Sequence, residues 1–387
     1  MDERQLEQWL AETRRDLHMH PELAWEEHRT TSRIMEILTG LGVEVRALDG
    51  TTGAVGVLRG GSAGPTLGLR ADIDALPLQE LNDVPYRSRE DGKMHACGHD
   101  AHTAIMLGVA RLLVESGAAR GLRGNVKFLF QPAEERVNGA REMIAKGVLE
   151  DPHVDRVMAG HMVPDMAVGT VGVFRAQSHA SADRFTLRIV GKGSHGGRPH
   201  EGVDPIVAGA HFVTAVQSVV GRNVNPTAPA VVTVGKFVAG TVGNVIPEAA
   251  DLEGTIRALT PEVRGQLMGR LRELVAGMER SFLVRGHLAF HEGVPACFND
   301  ESVSLFLGEV AAELLGPDSV HHLAPSMGAE DFALFTEARP GAIVRLGCAP
   351  PDGVPSAPLH SPHFDIDEGV LMVGVRLFSE AARRYLA

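Results

Sequence analysis

Three short apolar runs in this chain each stop at residues that can carry chemistry. Thr66-Leu67-Gly68-Leu69-Arg70-Ala71-Asp72 leads into a polar cluster with Asp72 and Asp74. Asn125-Val126-Lys127-Phe128-Leu129-Phe130 leads into Gln131-Pro132-Ala133-Glu134-Glu135, and Arg156-Val157-Met158-Ala159-Gly160 ends at His161. Runs of this length read as buried strands. Helical patterns between them, such as Thr103 to Glu115, predict an α/β fold with a mostly parallel sheet covered by helices. Sites in such sheets form beyond the carboxyl ends of the strands. The polar residues fall at those ends.

The stretch Lys93-Met94-His95-Ala96-Cys97-Gly98-His99-Asp100-Ala101-His102 concentrates the chemistry further, in a chain with only 3 cysteines. A cysteine two residues before a histidine can place thiolate and imidazole on one cation, provided the chain between them turns. Gly98 permits that turn. Alone, the stretch reads equally well as a satisfied polar loop. Glu134-Glu135, His161 and Leu359-His360-Ser361-Pro362 tip it towards metal binding.

Composition narrows the function. At 387 residues the chain predicts about two domains. A net charge of -12 argues against a general binder of nucleic acid or anionic membranes, both of which need a basic surface. No apolar run approaches the roughly 18 residues of a membrane span, and the start Met1-Asp2-Glu3-Arg4-Gln5 lacks a secretory pattern. Cys97, Cys297 and Cys348 are too scattered for a disulfide framework, so a reducing cytoplasm is the simpler home.

A different module interrupts the chain. Asp183 to Ile189 alternates strictly, as a strand with one wet face does. A helical pattern follows from Val203 to Val220, then strands Ala230 to Phe237 and Asp251 to Ala258, a helix opened by Pro261 and running to Phe282, and a strand Gly286 to Phe290. Strand, helix, strand, strand, helix, strand is the split ferredoxin-like order. The module therefore spans 181–293, flanked by 1–180 and 294–387.

Together these motifs resemble one family, the amidohydrolase branch of the aminoacylase and carboxypeptidase metallohydrolases, which includes hippurate, N-acyl-amino-acid and auxin-conjugate hydrolases. The likeness begins at Arg14-Arg15-Asp16-Leu17-His18-Met19-His20-Pro21. It runs through Arg70-Ala71-Asp72-Ile73-Asp74-Ala75-Leu76-Pro77, the cysteine-histidine cluster, Gln131 to Glu135 and Gly193-Ser194-His195-Gly196-Gly197-Arg198-Pro199-His200. It continues at Asn244 to Glu248, Leu252 to Arg257 and Met327 to Phe332, and closes at His360-Ser361-Pro362-His363. It spans essentially the whole chain, in order.

The resemblance implies two divalent ions (zinc, manganese or cobalt) held by Cys97, His99, Glu135, His161 and His360. Other members of the wider family carry a histidine where Arg70 stands. It makes Glu134 the general base, and neighbours on extended chain point opposite ways, which would separate Glu134 from the ligand Glu135. It makes 181–293 an inserted lid that also forms a homodimer, with 1–180 and 294–387 as one catalytic domain. It has His195 on that lid donate to the oxyanion in the partner's site, and gives Arg257 and Asn244 a part in substrate binding. Asp72 and Asp100 would orient ligands. His102 reads as a support, and His18 and His20 as helix-terminal cations. The implied substrate is an N-acyl amino acid. The alternatives are N-acetyl-diaminopimelate deacetylation, dipeptide or N-carbamoyl hydrolysis, or a metal-binding protein without catalysis. The presence of Glu134 speaks against the last, since metal binding alone needs no base.

Overall fold

The computed structural model describes residues 2–350 and 357–387. Along the chain come α1 (Glu3–Met19), α2 (His28–Gly40), β1 (Glu44–Ala47), β2 (Ala54–Arg59), β3 (Ser62–Asp72), α3 (His99–Glu115), β4 (Arg123–Gln131), α4 (Gly139–Ala145), β5 (Arg156–Ala167), β6 (Val171–Val173) and β7 (Gln177–His179). The middle supplies β8 (Ala182–Val190), β9 (Ser194–His195), α5 (Pro205–Ser218), β10 (Ala230–Ala239), β11 (Val245–Ile246), β12 (Ala249–Ala258), α6 (Pro261–Phe282) and β13 (Arg285–Val294). The last part adds β14 (Cys297–Phe298), α7 (Glu301–Leu315), β15 (Val320–His322), α8 (Phe332–Ala338), β16 (Gly341–Ala349) and α9 (Gly369–Tyr385).

Contacts divide the chain into two compact units. One holds the residues up to Ser178, Phe298–Ala324 and those from Asp331 on; the other holds His179–Cys297 and Pro325–Glu330. The short return of 325–330 to the second unit is not signalled by any composition change in the sequence.

The first unit is built on an eight-stranded sheet of order β1-β2-β4-β3-β5-β16-β6-β15. Its centre is parallel: β3 pairs that way with both β4 and β5, and β5 with β16. The antiparallel pairs are β1 with β2, β2 with β4, and β6 with β16. The mostly parallel sheet read from the apolar runs is what the chain forms. Register sets Asp72 opposite Gln131, so β3 and β4 finish level and present their polar ends side by side. β5 does not stop at His161 as the apolar run suggests. It continues because β16 accompanies it, pairing Arg345 with His161, and His161 thus projects from within a strand.

α3 is buried along nearly its whole length and packs against α1 and α9. The crossing is close because Gly108 has no side chain: a Cβ there would lie 2.6 Å from Leu10 and 2.7 Å from Val375. On α9, the fully buried Phe378 ring covers Gly160 of β5.

In the second unit the sheet order is β10-β12-β8-β13, all antiparallel. Phe185, Leu187 and Ile189 of β8 face a core shared with Phe212 and Val216 of α5 and Leu267 and Leu271 of α6. Asp204 caps α5 through the backbone N–H groups of Ile206 and Val207, and Thr260 caps α6 just before Pro261. β10 is an edge strand and leaves Val231, Phe237 and Val238 exposed.

Phe378→Ala should cost about 3–5 kcal/mol of stability, because a buried aromatic leaves a cavity that rigid neighbours fill poorly. A denaturant midpoint unchanged from wild type would show that the α9–β5 contact carries no such load.

Candidate metal centre

The turn between Cys97 and His99 is made by Gly98 at φ 84°, and α3 starts at once, with Gly98 as its N-cap and His99 as its first residue. The helix therefore begins four residues before the periodicity from Thr103 suggests. The thiol and imidazole are brought to one side by this entry. His99 donates from Nδ1 to the Asp74 carbonyl at 2.9 Å, a group that can only accept. Its Nε2 is then the ring atom open to a cation, and that buried atom has no hydrogen-bond partner. His161 is oriented likewise: Nδ1 donates to the Met162 carbonyl at 2.8 Å, and Nε2 sits 3.5 Å from Cys97 Sγ. The ligand atoms of Cys97, His99 and His161 lie within 4.8 Å of one another.

A second donor group shares the same thiol, with Cys97, Glu135 and His360 also within 4.8 Å of one another, and a third joins His99 to Glu134 and Glu135. His360 Nε2 is 3.4 Å from Glu135 Oε1. Its own N–H donates to the Ala96 carbonyl, which ties the segment to the cysteine loop. The two glutamates do not lie on extended chain. Glu134–Arg136 is a single 3-10 turn entered through Ala133 at φ 52° and left through Val137 at φ 55°. The alternation argument for separating their roles therefore fails. The turn forms because buried carboxylates accept its N–H groups: Glu27 takes that of Ala133, and Asp74 takes those of Glu134 and Glu135.

Behind the donors lies a charged lattice. Asp72 accepts from Arg70 Nη1 at 2.6 Å and from His102 Nδ1 at 2.5 Å, while His102 Nε2 accepts the Met162 N–H. Both ring nitrogens of His102 are thus used, and it is a strut between β3 and β5. Asp72 orients this strut and approaches His99 Nε2 at 3.7 Å. Asp100, expected to orient a ligand, makes no hydrogen bond to one among the described residues. It turns away to Arg14 Nε at 2.7 Å and His18 Nδ1 at 2.8 Å. His18 is correspondingly no exposed helix-terminal cation: it is fully buried between Asp100 and Glu80, whereas His20 does bond a terminal carbonyl, that of Asp16. Sequence reading set Asp74 in the polar cluster after the first apolar run but gave it no role, and gave none to Glu27, Asp331 or Arg14. Asp74 carried a signal, since its spacing from Asp72 on a strand end puts both on one side; the others are joined only by tertiary contacts.

The electrostatics fit a cation. Burial pushes the Cys97 thiol up to about 12 and holds His161 neutral by moving it well below its ordinary value. Burial also opposes charge on His99, yet Asp72 and its other neighbours overcome this and hold it well above its ordinary value. Glu135 is lowered despite burial, through its bond to His360. Carboxylates that draw a proton onto a buried imidazole are calling for positive charge. A divalent ion would satisfy them while displacing the protons from His99 and Cys97.

Comparison with known proteins places this arrangement. Residues 68–384 match the model of Peptidase family M20/M25/M40. The chain belongs to this family. Among M20 relatives, an N-acetyl-L-cysteine deacetylase of Bacillus subtilis (strain 168) is 40% identical over 98% of this chain and 89% of its own length. An IAA-amino acid hydrolase of Arabidopsis thaliana is 35% identical over 98% of this chain and 86% of its own. The crystal structure of the Bacillus subtilis YXEP protein, described as a dinuclear metal-binding M20 peptidase, superposes with a TM-score of 0.87 at 36% identity, covering 99% of each chain. No helix among the described residues of this M20 chain is long and apolar enough to cross a membrane.

The remaining residues singled out by sequence lie in the second unit. His195 is exposed and opposite Val245 in the small β9–β11 ladder. The adjacent Gly196 N–H donates to the Asn244 carbonyl at 2.8 Å. His195 Nδ1 accepts the Gly197 N–H at 2.9 Å, so the neutral ring carries its proton on Nε2. Arg257 is near the end of β12, half-buried, and its Nη1 is buried without a hydrogen-bond partner. Burial lowers its pKa.

The His18 lattice makes stability depend on pH. Burial and then Arg14 disfavour its charge, but Asp100 and Glu80 prevail, and its pKa is raised above 6.5. That stabilisation is complete below the unfolded value of about 6.5 and is lost as pH rises through the folded value. Glu80 is lowered, so its share is present above about 4.3 and lost as pH falls. The stability gap between wild type and His18→Gln should therefore be widest at about pH 5–6 and shrink above pH 7. A gap that grows from pH 6 to 9 in urea titrations would contradict this charge assignment.

Proposed function

We propose that this chain hydrolyses the amide bond of N-acyl amino acids, releasing a carboxylic acid and a free amino acid, with two divalent ions held by Cys97, His99, Glu135, His161 and His360. The observation that carries the reading is the sharing of Cys97 between two donor groups, His99 with His161 and Glu135 with His360. Four donors around one thiolate, five in all, suit two ions, which zinc, manganese or cobalt could supply. Bound there, such ions polarise the amide carbonyl and lower the pKa of water. The relatives' names point the same way, since both a deacetylase of N-acetyl-L-cysteine and a hydrolase of IAA-amino acids act on amino-acid conjugates.

Glu134 is the general base. It takes the proton from attacking water and returns it to the leaving amine. Its place beside Glu135 and His99, on a turn fixed at its backbone, supports that role. His195 presents a protonated Nε2 suited to the tetrahedral oxyanion. The unpartnered Arg257 Nη1 suits the substrate's free carboxylate, with Asn244 held beside the His195 turn. Residues 181–293, the bulk of the second unit, are read as an inserted ferredoxin-like lid whose exposed edge β10 joins two copies; Val231, Phe237 and Val238 on that edge support a homodimer. Three buried free thiols, Cys97, Cys297 and Cys348, accord with a cytoplasmic setting.

Glu134→Gln should keep metal and substrate yet lose at least about 100-fold in kcat, while Glu135→Gln should lose metal affinity as well. Metal analysis alongside release of acetate, benzoate and ammonia from a panel of N-acyl and N-carbamoyl amino acids tests both roles and the substrate. Full activity in protein free of transition metal would end this reading.

His195→Ala should lower kcat without loss of metal or dimerisation. If the histidine serves the partner's site, mixing this variant with Glu134→Gln restores activity. One site of each mixed dimer then pairs an intact centre with an intact histidine, so about a quarter of all sites recover under random exchange. Verified exchange with no recovery would restrict His195 to its own chain.

A further inference from the structure

The turn that carries Glu134 and Glu135 is held by a side chain that neither binds metal nor faces substrate in the reading above. Asp74 is 1% exposed. Its Oδ1 accepts the Glu134 N–H and its Oδ2 the Glu135 N–H, each at 3.0 Å. One carboxylate thus grips two consecutive peptide units, which fixes the turn in rotation as well as position. Asp74 is itself held on both sides, because the Ile73 N–H donates to the Gln131 carbonyl and the Ala75 N–H to the Glu22 carbonyl. Its own carbonyl receives His99 Nδ1.

The turn needs such a grip. Its first N–H groups have no partner within so short a helix. Ala133 and Val137 flank it in the left-handed region, which a β-branched residue such as Val137 rarely adopts. Conformations of this kind persist only where surroundings over-determine them.

We propose that Asp74 is the positioning residue that sets the reach of both glutamates, so that the split between base and ligand follows from how one carboxylate orients two adjacent peptide groups. The proposal rests on Glu134 being the base and Glu135 a ligand. It makes Asp74 a partner of the reaction through Glu134 and Glu135, with no contact to substrate.

Asp74→Asn tests this role, with metal affinity measured alongside because Asp74 Oδ1 also lies 3.3 Å from His99 Nδ1. The backbone carbonyl that orients His99 is unchanged, but one carboxylate oxygen becomes an NH2 that faces a peptide N–H. The variant should fold, bind metal to the wild-type stoichiometry and keep KM within about threefold, while kcat falls about 10–100-fold, as small misplacements of reacting groups allow. Amide hydrogen exchange at 134 and 135 should accelerate, with Arg123–Phe130 of β4 unchanged. A kcat within twofold of wild type would overturn the proposal, as would acceleration spread evenly through β4, the mark of a merely structural role. Should Asp74→Asn fail to fold, Asp74→Glu keeps two oxygens but displaces them by a methylene, and the same pair of readouts applies. Glu134→Gln run in parallel separates the two ideas. If it remains active, the base assignment falls; if it is inactive while Asp74→Asn is fully active, only the role of Asp74 falls.

Discussion

A fully buried guanidinium ties together the carboxyl ends of the strands. Arg70 donates to Asp72, to Gln131 and to Asp331, and through them the charge is relayed outwards. Asp72 passes it to His102 and so to the Met162 amide on β5; Asp331 accepts from the Gln131 side chain and from the Ala140 N–H that opens α4. Removing Arg70 would strand two buried carboxylates, and breaking a buried pair in this way costs about 3–5 kcal/mol. Arg70 is thus structural, while Cys97 and His99, around the start of α3, offer donors.

The same economy governs the rest of the centre. Glu27, Asp74 and Asp331 use their charge on backbone N–H groups of the segment between β4 and α4, where no strand or helix can satisfy them. Charge-assisted bonds of this kind are about twice as strong as neutral ones. Asp72 and Asp74 also face His99, and Asp72 above all is why burial alone does not decide its protonation. Asp74 thus serves both the loop and the donor group.

What the sequence disclosed follows from how local each feature is. The central strands and the sheet type were legible because apolar runs and the intervening helical patterns are local, and Pro261 marks the start of α6 by its fixed φ and missing N–H. The juxtaposition of Cys97, His99, His161, Glu135 and His360 was accessible through motifs. The helix entry at His99 was hidden because its first turn is polar and carries no periodicity. The length of β5 depended on β16, whose Arg345 pairs with His161 from 184 residues further along the chain. Asp100 misled for a related reason. It stands next to His99 in sequence, but a helix sends adjacent side chains to different sides, and the side it takes is decided by Arg14 from α1.

That last pairing shows why proximity in sequence is a poor guide to a buried charge's task. His99 and Asp100 leave the first turn of α3 about 100° apart, as the 3.6-residue period requires. One reaches the donor group and the other an internal cluster in which Arg14 also meets Asp365 and Glu368. Asp365 lies in the segment that follows His360, so the cluster anchors both the helix bearing His99 and the chain bearing His360. Burial disfavours charge on Asp100, yet Arg14 and His18 hold its carboxyl far below the usual range, which favours an ionised anchor near neutral pH. The donor atoms on one side of α3 are therefore placed by an ion cluster on the other, and the helix N-terminus is the rigid link between them.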